Sequence, residues 1–440
     1  ILVKNFIKGG LLHELKAVVD TIEKPSRFVT EFFENFKPTD TVIGRNIFED
    51  KVPEFFAALR KNDSIVLDGH RYLKFDKKHA DSLQYYISEI DFDDPKRQIQ
   101  SNLIEKLDEL EVDVIPFYKD FYTKSYNNST AQALILHAIS KKSDEASLKV
   151  LLELMETDLP LLSNTLQISL IFKPYRDSLS LAKKLFPDLL DYSTITEYKP
   201  PIFSLLAKLQ ANGTIKPKHY KKYKTKILND AKIYLKRHLG KELSATTQDF
   251  NNPTTPRTDI GVLEDYVTLL YPFKKEKTVQ QFFEQLKSVD DPNIRSAYLA
   301  LLAKNNEFIP QKELFDLAAD IEGRLTLFLK LRAVGKLSLF PQAYRSQKYL
   351  AEALLIQGIA YNSEKDAIEF VTRKSLQYNG KQLTGYYFKK RNNQDYDRNF
   401  NMHVLIFEDE MGLTNKPFYE NEGMRIEDTD TVEEVIKILS

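Results

Sequence analysis

Seven histidines are the first residues to test for metal or proton-transfer chemistry: His13, His70, His79, His137, His219, His238 and His403. A helical zinc pair needs His-Glu-x-x-His, which sets two imidazoles one turn apart on the same face. No two of these histidines have that spacing. His70 and His79 are nine residues apart, across a predicted strand and a helix start, and make no ligand pair. His137 sits within Leu134-Ile135-Leu136-His137-Ala138-Ile139 and reads as a core or groove residue. The acids Asp91, Asp93 and Asp94 could open a calcium loop. The sixth position from Asp91, where such a loop requires Gly, is Lys96. They read instead as caps for a helix starting near Lys96-Arg97-Gln98. Cysteine is absent, which removes disulfides, thiolate ligands and a cysteine nucleophile. There is no phosphate loop, dinucleotide fingerprint or Gly-x-Ser-x-Gly elbow. Gly9-Gly10 lacks a third glycine and a predicted preceding strand. The sequence therefore nominates no catalytic residue, no metal ligand and no cofactor.

The most charged stretch is basic. Residues 216–238 hold Lys216, Lys218, Lys221, Lys222, Lys224, Lys226, Lys232, Lys236 and Arg237 against the single acid Asp230. Interleaved tyrosines could stack on nucleic-acid bases. Their spacing predicts otherwise: Tyr220, Tyr223, Ile227, Ala231 and Tyr234 recur every three or four residues, one stripe of a helix. That stripe is expected to be buried, with Lys218, Lys222, Lys226 and Lys236 exposed. The candidate anion-facing surface is Lys216, Lys218, Lys221, Lys222, Lys226, Lys236 and Arg237. A solvated face is the plainer reading. Basic and acidic residues balance at 63 each, so no long-range field draws the chain to nucleic acid, and a protein is the expected partner.

These residues must be carried by helices. Hydrophobic residues make up 42% of 440 positions, enough for a sizeable core, and Gly occurs only 14 times. Few glycines suit long helices with short turns and argue against Gly-rich nucleotide folds. No apolar run reaches the roughly 18–20 residues of a membrane helix, so the chain is expected to be soluble. The first residue is Ile1, which suggests a fragment or processed product. Residues 1–127 read as a helical region in which Phe28, Phe32, Phe33 and Phe36 form a core stripe. A β-hairpin is expected at 64–75 around Asp68-Gly69.

Residues 128–357 alternate helical runs with polar breaks. Ser147-Leu148-Lys149-Val150-Leu151-Leu152-Glu153-Leu154 echoes Ser178-Leu179-Ser180-Leu181-Ala182-Lys183-Lys184-Leu185 at an offset of 31, as in stacked helix pairs. In Asp290-Asp291-Pro292-Asn293-Ile294-Arg295, Asp291 is placed to cap a helix and Pro292 to fill its first turn, with Ile294, Ala297 and Leu301 on the buried face. Residues 244–258 form a polar, Pro-punctuated loop. After 357 the period becomes extended. Asn379-Gly380 predicts a tight hairpin turn, Gly385 a bulge, His403–Phe407 a third strand, and Thr431-Val432-Glu433-Glu434 a capping box. The expected fold is mainly α: a solenoid of antiparallel helix pairs over 128–357 with a small C-terminal α/β unit at 358–440.

The 290–302 pattern resembles the second helix of a HEAT repeat. Tyr175-Arg176-Asp177-Ser178-Leu179, Lys184-Leu185-Phe186-Pro187, Glu197-Tyr198-Lys199-Pro200-Pro201-Ile202 and Tyr220-Lys221-Lys222-Tyr223 together resemble the region after the catalytic domain of large bacterial TraB/GumN-family proteins. That family's metal-dependent, peptidase-like chemistry lies in a separate module with paired Gly-x-x-His motifs. Asp68-Gly69-His70 is not that motif and has no second copy, so the resemblance transfers no active site. It implies an accessory helical region in the periplasm or at the cell surface. The sequence reading is thus a non-catalytic protein-interaction scaffold. The alternatives are an accessory domain of a hydrolase and an anion- or nucleic-acid-binding array using 216–238.

Overall fold

The computed structural model of the chain describes residues 1–8, 11–19, 24–38, 49–61, 69–89, 97–162, 165–239, 256–359, 361, 366–392, 400–426 and 431–439. It is mainly α, with a small C-terminal antiparallel sheet. The chain forms two compact units, Ile1–Lys142 with Ala146–Leu161, and Ser143–Glu145 with Leu162–Ser440. The division falls later than the expected boundary at 127, and the C-terminal sheet clusters with the helices before it. Among the described residues no helix is long and apolar enough to cross a membrane.

The first unit opens on strands, where helix was expected. β1 (Leu2–Lys8) pairs antiparallel with β2 (Leu11–Ala17), from Leu2 opposite Ala17 to Lys8 opposite Leu11. A strand thus precedes Gly9-Gly10, which themselves lie outside the described residues. Leu11, Leu12 and Leu15 satisfy a helical spacing as well as a strand's alternation, and pairing with the strand just before them decides between the two. Phe6 stacks on His13 at 5.1 Å and meets Phe36 at 5.8 Å. α1 (Arg27–Asn35) is capped by the Ser26 hydroxyl. Of the predicted phenylalanine stripe, Phe33 is buried, while Phe28 and Phe32 stay exposed.

α2 (Val52–Lys61), α3 (Ala80–Glu89), α4 (Arg97–Glu109), α5 (Ile115–Lys124), α6 (Ser129–Lys141) and α7 (Glu145–Thr157) follow among the described residues. Residues 62–68 lie outside the described residues, as do Asp91, Asp93 and Asp94. The second strand of the hairpin expected at 64–75 is not formed. Gly69 has φ −80°, a right-handed value, and His70–Tyr72 make a 3₁₀ turn. Phe75 instead packs against Phe55 and Phe56, and the His79 ring accepts the Asp76 N–H at 3.0 Å ahead of α3.

The second unit contains α8 (Thr165–Phe172), α9 (Leu179–Ala182), α10 (Lys199–Ala211), α11 (Lys224–Leu239), α12 (Pro256–Leu270), α13 (Lys277–Leu286), α14 (Pro292–Lys304), α15 (Gln311–Ala319), α16 (Ile321–Ala333) and α17 (Gln347–Gly358). Residues 244–255 of the expected loop lie outside the described residues, and 256–258 belong to α12. Packing runs along a row: α8 on α10, α10 on α12, α12 on α14, α14 on α16, α16 on α17. α11 leans on α12 and α13, and α15 on α14 and α16. The two copies of the 31-residue echo are not equivalent elements. The first lies in α7; the second is the short α9 followed by a 3₁₀ turn at Lys183–Leu185.

α14 shows local chemistry deciding a helix. Asp291 accepts the N–H groups of Asn293 and Ile294 at 2.9 and 3.0 Å, and Pro292 opens the first turn. Ile294, Ala297 and Leu301 are buried. Near the row's end, the buried Arg324 joins three helices. It donates to the Ala318 and Ala319 carbonyls closing α15, and to the Tyr349 carbonyl and Glu352 of α17, between the rings of Tyr344 and Tyr349.

β3 (Asp366–Tyr378), β4 (Lys381–Asn392), β5 (Phe400–Glu408), β6 (Tyr419–Glu420) and β7 (Met424–Ile426) form the sheet, followed by α18 (Val432–Leu439). Asn379 and Gly380 take φ of 47° and 78°, the positive values a type I′ turn requires. The bulge expected at Gly385 lies across the ladder instead, at Val371, while Gly385 pairs regularly with Lys374. A Cβ on Gly385 would sit 3.2 Å from the Tyr387 ring, so this glycine serves close packing. Thr431 and Glu434 exchange hydrogen bonds as a capping box at α18. Val435 and Ile436 of α18 cover one sheet face with Met402 and Val404; Ala351 and Leu355 of α17 cover the other with Phe388 and Leu405.

Candidate functional site

The basic stretch does not form one continuous face. Lys216 and Lys218 flank and occupy the 3₁₀ turn Pro217–His219, Lys221 and Lys222 lie on the turn Lys221–Tyr223, and Lys226, Lys236 and Arg237 lie on α11. Lys216, Lys218, Lys221, Lys222, Lys236 and Arg237 are exposed. Lys226 is half-buried and donates to the Ser193 carbonyl, and burial followed by the nearby Lys199 charge holds its pKa below the ordinary lysine value. Ile227 and Ala231 are buried as their spacing predicts, and Tyr220 is buried with its hydroxyl on the Leu269 carbonyl. Tyr223 and Tyr234 are only half-buried. Lys222 sits 4.8 Å from the Tyr223 ring centre and Arg237 5.5 Å from that of Tyr234. One external acid, Glu276, binds Lys224, whereas Asp230, the single acid of the stretch, binds Lys199 outside it at 3.1 Å.

The histidines take local roles. His79 and His219 accept backbone N–H groups in their own turns, His13 stacks on Phe6, and His403 is buried in the sheet. Among the described residues no group of three or more His, Cys, Asp or Glu could hold a metal ion.

A polar seam across the row was not singled out from the sequence. Arg176, in the turn after α8, donates to the Ser204 hydroxyl of α10 at 2.5 Å. Ser204 in turn hydrogen-bonds Asp265 of α12. The adjacent Glu264 accepts from Lys330 of α16 at 2.5 Å. Thr326, one turn before Lys330, donates to the Asn293 side chain of α14 at 3.2 Å. All these side chains are half-buried. Lys330 meets Glu264 although α14 packs between their helices, so side chains of alternate row members converge over the helix between them.

The seam's electrostatics follow from that crowding. Burial pushes the Asp265 carboxyl up to about 7; the Ser204 hydrogen bond opposes this, the Glu264 charge adds to it, and Arg176 and Lys330 oppose it. Burial also raises Glu264, against the pull of Lys330. A carboxyl that titrates near neutrality can act as donor or acceptor in the same place, which marks candidate functional positions. The sequence signal was available in Gly261-Val262-Leu263-Glu264-Asp265-Tyr266-Val267, two adjacent acids inside an otherwise apolar run. Its partners lie 28 to 66 residues from one another.

No family model matches the chain, and neither a curated protein nor a solved structure matches it.

Proposed function

We propose that this chain is a non-catalytic, HEAT-like interaction module whose partner is a protein, docking along the Arg176–Ser204–Asp265–Glu264–Lys330 seam. The row of packed helices from α8 to α17 supports the solenoid reading, because each member buries its apolar face on its neighbours. The resemblance of 175–223 to the region following the catalytic domain in TraB/GumN-family proteins supports an accessory role. The observation that carries the docking reading is the seam, where half-buried donors and acceptors from α10, α12, α14 and α16 meet. An extended polypeptide laid across successive helices needs such a series to satisfy its backbone groups, and would take them by exchange with the internal pairs.

The test is selection from a random peptide display library on the immobilised chain. Enriched peptides are expected to lose binding, by about tenfold or more, to the double variant Glu264→Gln/Asp265→Asn, as for truncating central polar contacts. Enriched peptides that bind both forms equally would remove the seam from the account.

A second reading, an anion- or nucleic-acid-binding array, is favoured by the exposed Lys218, Lys221, Lys222 and Lys236. It is opposed by Tyr220, which is buried, and by the half-burial of Tyr223 and Tyr234. Titration with single-stranded and duplex oligonucleotides near physiological salt decides it. Sub-micromolar binding lost in Lys218→Glu/Lys222→Glu would replace the protein-partner reading.

A further inference from the structure

The junction between α17 and the sheet holds a cavity of about 520 Å³, within the range of small-molecule sites. Its walls are of two kinds. Phe370 and the edge of the buried Tyr386 supply ring surface, while Lys348, Arg373 and Ser346 supply polar side chains, and no carboxylate lines it. Lys348 lies in the first turn of α17, 4.4 Å from the Phe370 ring centre. The Ser346 hydroxyl is not used to cap α17. Neither Lys348 nor Arg373 has an acidic partner among the described residues.

The bulge at Val371 explains how Arg373 reaches this cavity. In a regular strand, residues three apart point to opposite faces. Here Phe370 pairs with Phe388 and Arg373 with Tyr386, and Phe388 and Tyr386 lie on the α17 face of β4. The extra residue at 371 thus turns both Phe370 and Arg373 toward α17, a re-aiming that bulges commonly provide. Arg373 donates to the Tyr386 hydroxyl, which fixes its guanidinium at the tip of that side chain.

We infer that this cavity is a binding site for a phosphate monoester carried on a planar ring, with Lys348 and Arg373 on the phosphate and Tyr386 and Phe370 on the ring. Two cations with no carboxylate in salt-bridge contact match a dianion, and guanidinium pairs well with phosphate oxygens. A bare phosphate would leave the ring-lined part of the cavity unfilled. The site is separate from the seam and does not rest on its reading.

Isothermal titration of the full chain with phenyl phosphate, inorganic phosphate and phenol tests this. Phenyl phosphate is expected to bind with Kd below about 1 mM, inorganic phosphate more weakly and phenol not measurably. Lys348→Gln and Arg373→Gln are each expected to weaken phenyl phosphate about tenfold or more, with unchanged thermal melting. Adenosine monophosphate and a phosphotyrosine tripeptide are run alongside; tighter binding of either supports the site and identifies a free or a protein-borne source. Absence of phenyl phosphate binding, equal binding of inorganic phosphate, or binding indifferent to both substitutions would overturn the inference.

Discussion

Replacing Asp265 by Asn removes a carboxyl that burial disfavours while keeping an oxygen to accept from Ser204. The folded value of about 7 lies above the ordinary 3.8, so the folded state holds more protons than the unfolded chain between those limits. Stability contributed by this group is therefore fully present below about pH 4, falls as pH rises, and is level above about 7. A shift of about 3 units at roughly 1.4 kcal/mol each sets an upper limit near ~4 kcal/mol. Asp265 is only half-buried, so water screens part of this, and about 1–3 kcal/mol is the working expectation. For a unit of this size that is roughly 2–10 °C in Tm. Thermal unfolding followed by circular dichroism should show Asp265→Asn melting with wild type at pH 4.5 and above it at pH 8. Carboxylates away from the seam titrate equally in both proteins and cancel in the difference; Glu264, whose charge acts on Asp265, is relieved in the variant and adds to the gain at pH 8. A variant that melts lower at pH 8, or differs by the same amount at both pH values, would refute the idea that burial at the seam controls this group.

Three further outcomes follow from the packing. Gly380→Val places a branched side chain at φ 78° and should destabilise the sheet by roughly 1 kcal/mol or more, read as faster amide exchange in β3 and β4. Arg324→Leu strands Glu352 and the carbonyls closing α15, and should lower stability by about 3 kcal/mol or more in denaturant melts; adding Glu352→Leu should recover part of that loss. Asp291→Ala removes the cap of α14 and should lower stability by about 1 kcal/mol, and Asp291→Asn by less.

What could be read in the sequence was local. Asn379-Gly380, Asp291-Pro292 and Thr431 with Glu434 each specify their element through hydrogen bonds or φ angles within a few residues, and each formed. Leu11–Leu15 and Asp68-Gly69 failed for different reasons. The first is compatible with two periods until β1 pairs with it. The second was displaced when Phe75 packed on Phe55 and Phe56 and His79 bound Asp76. The basic stretch was visible as composition, but the spacing could not foresee that Lys226 would be drawn to Ser193. The seam was hidden because its meaning lies in pairs such as Lys330 with Glu264, which become neighbours only once α12, α14 and α16 have stacked. The bulge at Val371 carried no glycine to announce it.

Amide hydrogen exchange of the chain with and without a library-selected peptide tests the central claim most directly. Slowed exchange is expected in α10, α12 and α16 around Ser204, Asp265 and Lys330, and is expected to be absent when the Glu264→Gln/Asp265→Asn variant replaces the wild type. Protection confined to residues 216–239, with α12 and α16 unchanged, would contradict it.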